Sequence, residues 1–227
     1  MIRRILKAGI GIVILILIVV THGFSQHYLQ REDAWVNATI SNMTLDEKVG
    51  QLFMVRAFSK GYAGEDKKIS DYITKYHIGG ICFFQGSPLE QVNLINNYQQ
   101  KAKIPLFMGI DGEWGLGMRF PTQTISYPKQ LMLGAIQDNR LIYEMGVEVA
   151  KQCKRAGINI NFAPSVDINN NPSNPVIYDR SFGESAQNVT AKGYMYMKAM
   201  EDEGIMACIK HFPGHGDTDV DSHHDLP

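Results

Sequence analysis

The seventeen residues from His211 to Pro227 contain four histidines and four aspartates: His211, His215, His223, His224, Asp217, Asp219, Asp221 and Asp225. A loop that only meets solvent has no need of this concentration, so the segment reads as a site. Two chemistries compete for it. Histidine and aspartate together ligate divalent metals, and His211 and His215 stand four apart. Pro213 and Gly214 separate them, which denies the helical i, i+4 geometry of a zincin, and no His-Glu-x-x-His occurs. No metal is assigned on this pattern. The second chemistry is proton transfer. In Asp221-Ser222-His223, alternate residues of an extended segment point the same way, so carboxylate and imidazole can hydrogen-bond. The carboxylate sets the ring tautomer and favours the protonated ring, giving a proton donor near neutral pH. Asp221 and His223 are therefore the candidate catalytic pair. His224 has no acid two residues back and reads as solvated.

These residues need a scaffold, and the preceding chain predicts one. Thr44 and Glu47 form a capping box that opens a helix at Leu45, running into the apolar stretch Leu52 to Val55. Ser87, Pro88 and Glu90 repeat the device and open a helix to about Lys103. Asp138 to Ala156 and Ser185 to Glu203 read as two longer amphipathic helices. Between them lie apolar runs of strand length: Ile78–Phe84, Pro105–Ile110, Ile158–Ala163 and Ile205–Ile209, with a further one near Phe53. Apolar strands alternating with helices indicate a parallel sheet covered on both faces. Four of the strands lead into polar loops: Gln85-Gly86-Ser87, Asp111-Gly112-Glu113, Pro164-Ser165-Val166-Asp167 and Lys210 to Gly214. Polar residues gathered at the C-terminal ends of parallel strands are how a (β/α)8 TIM-type barrel builds its active site. A doubly wound open sheet is the alternative, but no G-x-G-x-x-G or Walker A sequence follows any strand. The expected fold class is α/β, a (β/α)8 barrel truncated after about five strands, because the chain stops inside the His/Asp loop.

The chain has 227 residues, 44% of them hydrophobic and 20% charged, with a formal net charge of −1. That is globular composition with ample material for a core. Three of the 22 basic residues, Arg3, Arg4 and Lys7, lie in the first 25 residues, leaving 19 against 23 acids, a net charge of −4. A mildly acidic body is a poor partner for nucleic acid. The basic residues precede the thirteen-residue apolar run Ala8 to Val20, and Gly23 and Ser25 suit cleavage before Gln26. Residues 1–25 thus read as an export signal, with an uncleaved anchor over residues 5–20 as the rival. The run is shorter than the ~20 residues of a spanning helix. The expected location is periplasmic or extracellular. Cys82, Cys153 and Cys208 form no C-x-x-C, and Cys82 and Cys208 sit in apolar runs, as small hydrophobes do. Asn37, Asn42 and Asn188 begin N-x-S/T triplets, which matter only in a glycosylating host.

Lys210-His211-Phe212-Pro213-Gly214-His215-Gly216 followed by Asp221-Ser222-His223 resembles the signature of glycoside hydrolase family 3, and more narrowly its β-N-acetylhexosaminidase branch. Asp111-Gly112-Glu113, Phe162-Ala163-Pro164 with Asp167, and Arg180-Ser181-Phe182-Gly183 match in the same order, so the resemblance runs from about Leu45 to Pro227. It implies residues 26–227 as part of the family's N-terminal barrel domain, with a sugar at the barrel mouth and no cofactor. The residue matching Asp111 would accept hydrogen bonds from sugar hydroxyls, and those matching Arg119, Arg180, Lys210 and His211 would complete the cradle. His223 matches the general acid/base, assisted by Asp221. Asp179 and Glu184 lie close to Arg180, which suggests a partly structural role there. The chain departs from the pattern at Trp114, Gly115 and Leu116, where Gly-Gly-Arg is usual. Trp114 either stacks on a sugar or packs the loop. The family's retaining mechanism uses an Asp nucleophile on a later strand. None of the Asp residues here matches its motif, and none is assigned as nucleophile.

The reading that follows is an exported retaining glycosidase that removes terminal β-linked N-acetylglucosamine, with these residues alone inactive. A β-glucosidase of the same family, a metal-dependent hydrolase using the His/Asp loop, and a non-catalytic sugar-binding module are the alternatives.

Overall fold

The computed structural model describes residues 34–226. The expected export segment, residues 1–25, lies outside them. The chain divides into two compact units, residues 1–48 and 49–227. In the first, helix α1 (Ala34–Ser41) precedes the start of α2 (Leu45–Gly50). The expected capping box is present. The Thr44 amide donates to Glu47 Oε2 at 2.8 Å and the Glu47 amide to Thr44 Oγ1 at 3.2 Å. Two amides that a helix start leaves open are thereby satisfied.

In the second unit β1 (Met54–Ala57), β2 (Gly80–Phe83), β3 (Phe107–Ile110), β4 (Ile160–Asn161) and β5 (Met206–Ala207) lie side by side in chain order, every neighbouring pair parallel. A doubly wound sheet reverses its strand order at a switch point, and this one never does. The winding is that of a TIM-barrel-like α/β fold. Parallel neighbours need crossovers, which here are α3 (Glu65–Tyr76), α4 (Pro88–Lys101), the pair α5 (Gln130–Gly134) and α6 (Arg140–Arg155), and α7 (Ala186–Asp202). Ala57, Ile81, Phe83, Met108 and Ile110 join Ile69, Ile73, Ile95, Val149 and Tyr196 in one buried core.

Two differences from expectation have physical reasons. The sequence predicts no helix between β1 and β2, yet α3 is there. Its apolar set is thin: only Ile69 and Ile73 are buried, among charged residues. Ser87 is the residue before α4, but its side chain makes no cap bond. Its main chain is held instead by Ser59, whose Oγ accepts the Ser87 amide at 3.0 Å and donates to the Ser87 carbonyl at 3.1 Å.

Helices α6 and α7 cross where Gly146 brings their backbones together. A Cβ on Gly146 would lie 2.7 Å from the Ala199 Cβ and 3.2 Å from the Tyr196 carbonyl oxygen. Replacing a helical Gly by Ala gains about 1 kcal/mol of helix propensity. Overpacking costs about 1–3 kcal/mol and should win here. Gly146→Ala is expected to be less stable than the parent in urea unfolding. A variant of raised midpoint would show that the crossing can open.

Candidate active site

The site is built where the chain leaves β3, β4 and β5. After β3, Gly112 is clamped. The Asn161 side chain of β4 accepts its amide at 3.0 Å and donates to its carbonyl at 3.2 Å, and the buried Tyr196 hydroxyl donates to the same carbonyl at 3.2 Å. This fixes the carboxylates on either side of Gly112. Gly115 then turns the chain with φ +85°, and a Cβ there would meet the Tyr127 ring at 3.0 Å. Only glycine suits both the conformation and the approach.

Asp111 holds two cations. Its Oδ1 is 2.6 Å from Lys210 Nζ and its Oδ2 2.9 Å from an Arg119 terminal nitrogen. Arg119 Nε also donates to the Asp111 carbonyl at 2.7 Å, with the guanidinium 4.5 Å from the centre of the Phe84 ring. Glu113, fully buried, takes a bidentate pair of bonds from Arg180 at 2.9 and 2.6 Å, and Lys210 Nζ approaches it at 2.8 Å. Asp167, whose side chain is also buried, accepts from His211 Nδ1 at 2.6 Å, from the His215 amide at 2.7 Å and from Ser165 Oγ at 3.0 Å. Arg180 can only donate, so its 3.3 Å contact with His211 Nε2 makes that nitrogen an acceptor and places the ring proton on Nδ1.

Three carboxylates, Asp111, Glu113 and Asp167, thus alternate with Arg119, Arg180 and Lys210. The formal charges balance. Such a cradle carries many charged donors and acceptors with no net charge, which suits neutral hydroxyls better than a phosphate. Burial pushes the Glu113 carboxyl up, but the Arg180 hydrogen bonds and the Lys210 charge outweigh it and hold it below the ordinary carboxylate range. For Asp167 burial again acts upward, and the His211 ring and His215 amide overcome it.

The second feature is the dyad. Asp221 Oδ1 accepts the His223 amide at 2.9 Å and His223 Nδ1 at 2.6 Å. Those two bonds hold the Asp221 carboxyl below its usual value. The His223 side chain is 76% exposed, so the ring is presented to solvent with its orientation set by Asp221.

The structure brings Asp111, Arg119, Arg180, Lys210 and His211 into one network and pairs Asp221 with His223. One expected local partnership is replaced. Arg180 pairs with Glu113, sixty-seven positions away, while Asp179 pairs with Lys129 at 2.6 Å. Lys129 Nζ also lies 5.2 Å from the centre of the half-buried Trp114 ring. Sequence reasoning assigned no role to Glu113, Asp167, Asn161 or His215. Alternation could have found Glu113, since it sits two residues from Asp111 as His223 does from Asp221. Among the described residues no three His, Cys, Asp or Glu side chains converge as metal ligands. The three cysteines are unpaired, and burial pushes the Cys82 thiol up to about 11 and Cys153 to about 12.

Residues 44–227 match the family described as Glycosyl hydrolase family 3 N terminal domain. The chain is 35% identical to Beta-hexosaminidase A of Pseudoalteromonas piscicida over 82% of its own length and 35% of that protein. It is 30% identical to a Beta-N-acetylglucosaminidase/beta-glucosidase of Cellulomonas fimi, covering 84% of itself and 33% of that protein. Among solved structures, a glycoside hydrolase family 3 beta-N-acetylglucosaminidase from Paenibacillus sp. str. FPU-7 superposes with a TM-score of 0.75 at 41% identity, over 82% of this chain and 36% of that one. The chain therefore spans about a third of the length of these relatives.

Glu113 generates a test of the network. A carboxyl lowered on folding stabilises the fold above its unfolded pKa, and that stability is lost as pH falls towards the folded value. Unfolding free energy should therefore decline below about pH 4.3, the ordinary Glu range. Glu113→Gln leaves the largely buried Arg180 without its carboxylate and Lys210 with Asp111 alone, and should cost about 3 kcal/mol at neutral pH. It should also flatten the acid decline, leaving the part due to Asp167. Urea titrations across pH 3–7 measure both, and a variant as stable as the parent at pH 7 would refute the buried-charge account.

Proposed function

Because the chain belongs to glycosyl hydrolase family 3, we propose that its protein is a retaining glycosidase that removes terminal β-linked N-acetylglucosamine from carbohydrate. The observation that carries this reading is the Asp221–His223 contact of 2.6 Å on an exposed ring, in a loop that follows the same strand as Lys210 and His211 of the cradle. With Nδ1 committed to Asp221, Nε2 is the nitrogen able to deliver a proton to the departing glycosidic oxygen. In the second half-reaction the same nitrogen takes a proton from water. The cradle would fix the sugar hydroxyls, with Asp111 better placed than Glu113 because its side chain is 25% exposed and that of Glu113 is fully buried. The attacking carboxylate is assigned to none of these residues, so residues 26–227 alone are expected to be inactive. Export is part of the proposal and rests on the basic and apolar residues of the first 25.

The acetamido sugar is favoured by the names of the Pseudoalteromonas and Paenibacillus relatives. A β-glucoside is the second reading, favoured by the double name of the Cellulomonas relative. Assaying the full-length protein on aryl β-N-acetylglucosaminide and aryl β-glucoside, with and without chelator, separates the readings. Chelator-resistant cleavage of the acetamido sugar alone is expected. Preference for the glucoside would reverse the order, and loss of activity with chelator would implicate a metal.

His223→Ala in the full-length protein should lower kcat/KM for a substrate with a poor leaving group by about 100-fold or more, the usual scale of general acid catalysis. An activated aryl glycoside should suffer far less. Equal losses on both substrates would remove His223 from the acid role.

A further inference from the structure

His215 belongs to neither the cradle nor the dyad, yet it is buried, with 6% exposure, between them. Its amide donates to Asp167, the carboxylate that orients His211. Its ring meets Thr218 Oγ1 through Nδ1 and Ser222 Oγ through Nε2, the latter at 3.2 Å. Ser222 is the residue between Asp221 and His223.

Counting donors and acceptors sets the direction of these bonds. The Thr218 hydroxyl has one proton, and the His215 carbonyl stands 3.1 Å away to accept it. Its lone pairs face the Asn174 amide nitrogen at 3.4 Å and His215 Nδ1. With that proton on the carbonyl, the oxygen accepts from the ring, and the arrangement assigns the ring hydrogen to Nδ1. Nε2 then has only a lone pair to offer, and the Ser222 hydroxyl donates to it. Asn174 closes the frame by donating to the His215 carbonyl at 2.6 Å and the Thr218 carbonyl at 2.9 Å.

We infer that His215 is a positioning residue: its Nε2 latches Ser222 and so holds the Asp221–His223 dyad in register with the Asp167–His211 side of the cradle. The latch rests on the glycosidase reading for its consequence, though not for its existence. A hydroxyl bonded to a buried, framed imidazole fixes the middle residue of the dyad segment, whereas His223 itself is mostly exposed and bonded only locally to Asp221. Without the latch, Asp221 and His223 would stay paired, but the pair would wander relative to the bound sugar. General acid catalysis depends on that placement more than sugar binding does.

The test uses the full-length protein with Ser222→Ala and His215→Asn. Asn retains a donor near Thr218 but cannot reach Ser222, and Ser222→Ala removes the hydroxyl with little change of shape. Two readouts are taken. Amide hydrogen exchange at residues 219–224 should rise about tenfold or more in both variants, with the global urea midpoint of Ser222→Ala unchanged. The kcat/KM ratio between an activated aryl N-acetylglucosaminide and a poor-leaving-group one should widen in both variants, with KM for the activated substrate unmoved. Unchanged exchange in Ser222→Ala overturns the latch whatever the activity. Raised exchange with equal kcat/KM losses on both substrates overturns the positioning role. A parent protein that cleaves neither glycoside overturns the glycosidase reading instead, and exchange then judges the latch alone. Nitrogen-15 shifts of the His215 ring supply an independent check, since a pyrrole-type Nε2 would refute the bond direction.

Discussion

Glu113 is the constraint on which the site depends. Its carboxylate is wholly buried against Arg180 and Lys210, two cations delivered from the loops after β4 and β5. Taking one carboxylate out of water costs several kcal/mol even after relaxation, so this position is tolerable only when both cations arrive. The converse also holds. Lys210 and Arg180 are largely buried, and without Glu113 they would repel each other at the mouth of the sheet. The three groups therefore assemble together, and their assembly fixes how the ends of three strands face one another. A buried pair of this kind contributes little net stability yet is costly to break, and here its consequence is a fixed arrangement of charged groups at the strand ends.

The neighbouring carboxylate has the opposite character. Asp111 shares Lys210 with Glu113 but keeps a quarter of its side chain open. Bound ligand hydroxyls can compete for an exposed carboxylate at little cost, whereas exposing Glu113 would break the ion pairs that order Arg180. Two acids separated by one glycine are thus divided by burial alone into a structural counter-charge and an accessible acceptor. Asn161 and Tyr196 make this division stable, because they hold Gly112 from both its amide and its carbonyl.

Much of this was legible beforehand, and the parts that were not share a cause. The β2 to β5 segments stand out because each is a short apolar run ending at polar loop residues, and the dyad because aspartate and histidine fall two apart in an extended segment. Helix α3 escaped because its buried face is only Ile69 and Ile73, too few to generate a period among charges, although parallel pairing of β1 with β2 demands a crossover there. Ser87 misled because its cap chemistry is correct locally, while Ser59 claims its backbone from another segment. Arg180 misled likewise: acids lie beside it in sequence, and its partner comes from the end of another strand. Residue type and spacing report local chemistry. Long-range pairings such as Arg180 with Glu113, or Asn161 with Gly112, become visible only when strand order places their loops side by side.

The three histidines of the site, His211, His215 and His223, show how one residue type acquires three roles in thirteen residues of chain. Each has Nδ1 committed: His211 to Asp167, His215 to Thr218 and His223 to Asp221. What differs is the group facing Nε2. For His211 it is Arg180, a permanent donor, so a proton on that nitrogen would meet a cation and the ring serves as an acceptor that helps orient the guanidinium. For His215 it is the Ser222 hydroxyl, a neutral partner on an exposed residue, bonded to a ring that is itself buried and acts as a strut. For His223 the exposed ring leaves Nε2 open to solvent, with the Asp221 carboxylate holding the ring from behind. The proton-transfer role proposed above needs a ring held firmly at one nitrogen and open at the other. Of the three, His223 alone combines a fixed orientation with an open Nε2, and it does so through its surroundings rather than through any property of the imidazole itself.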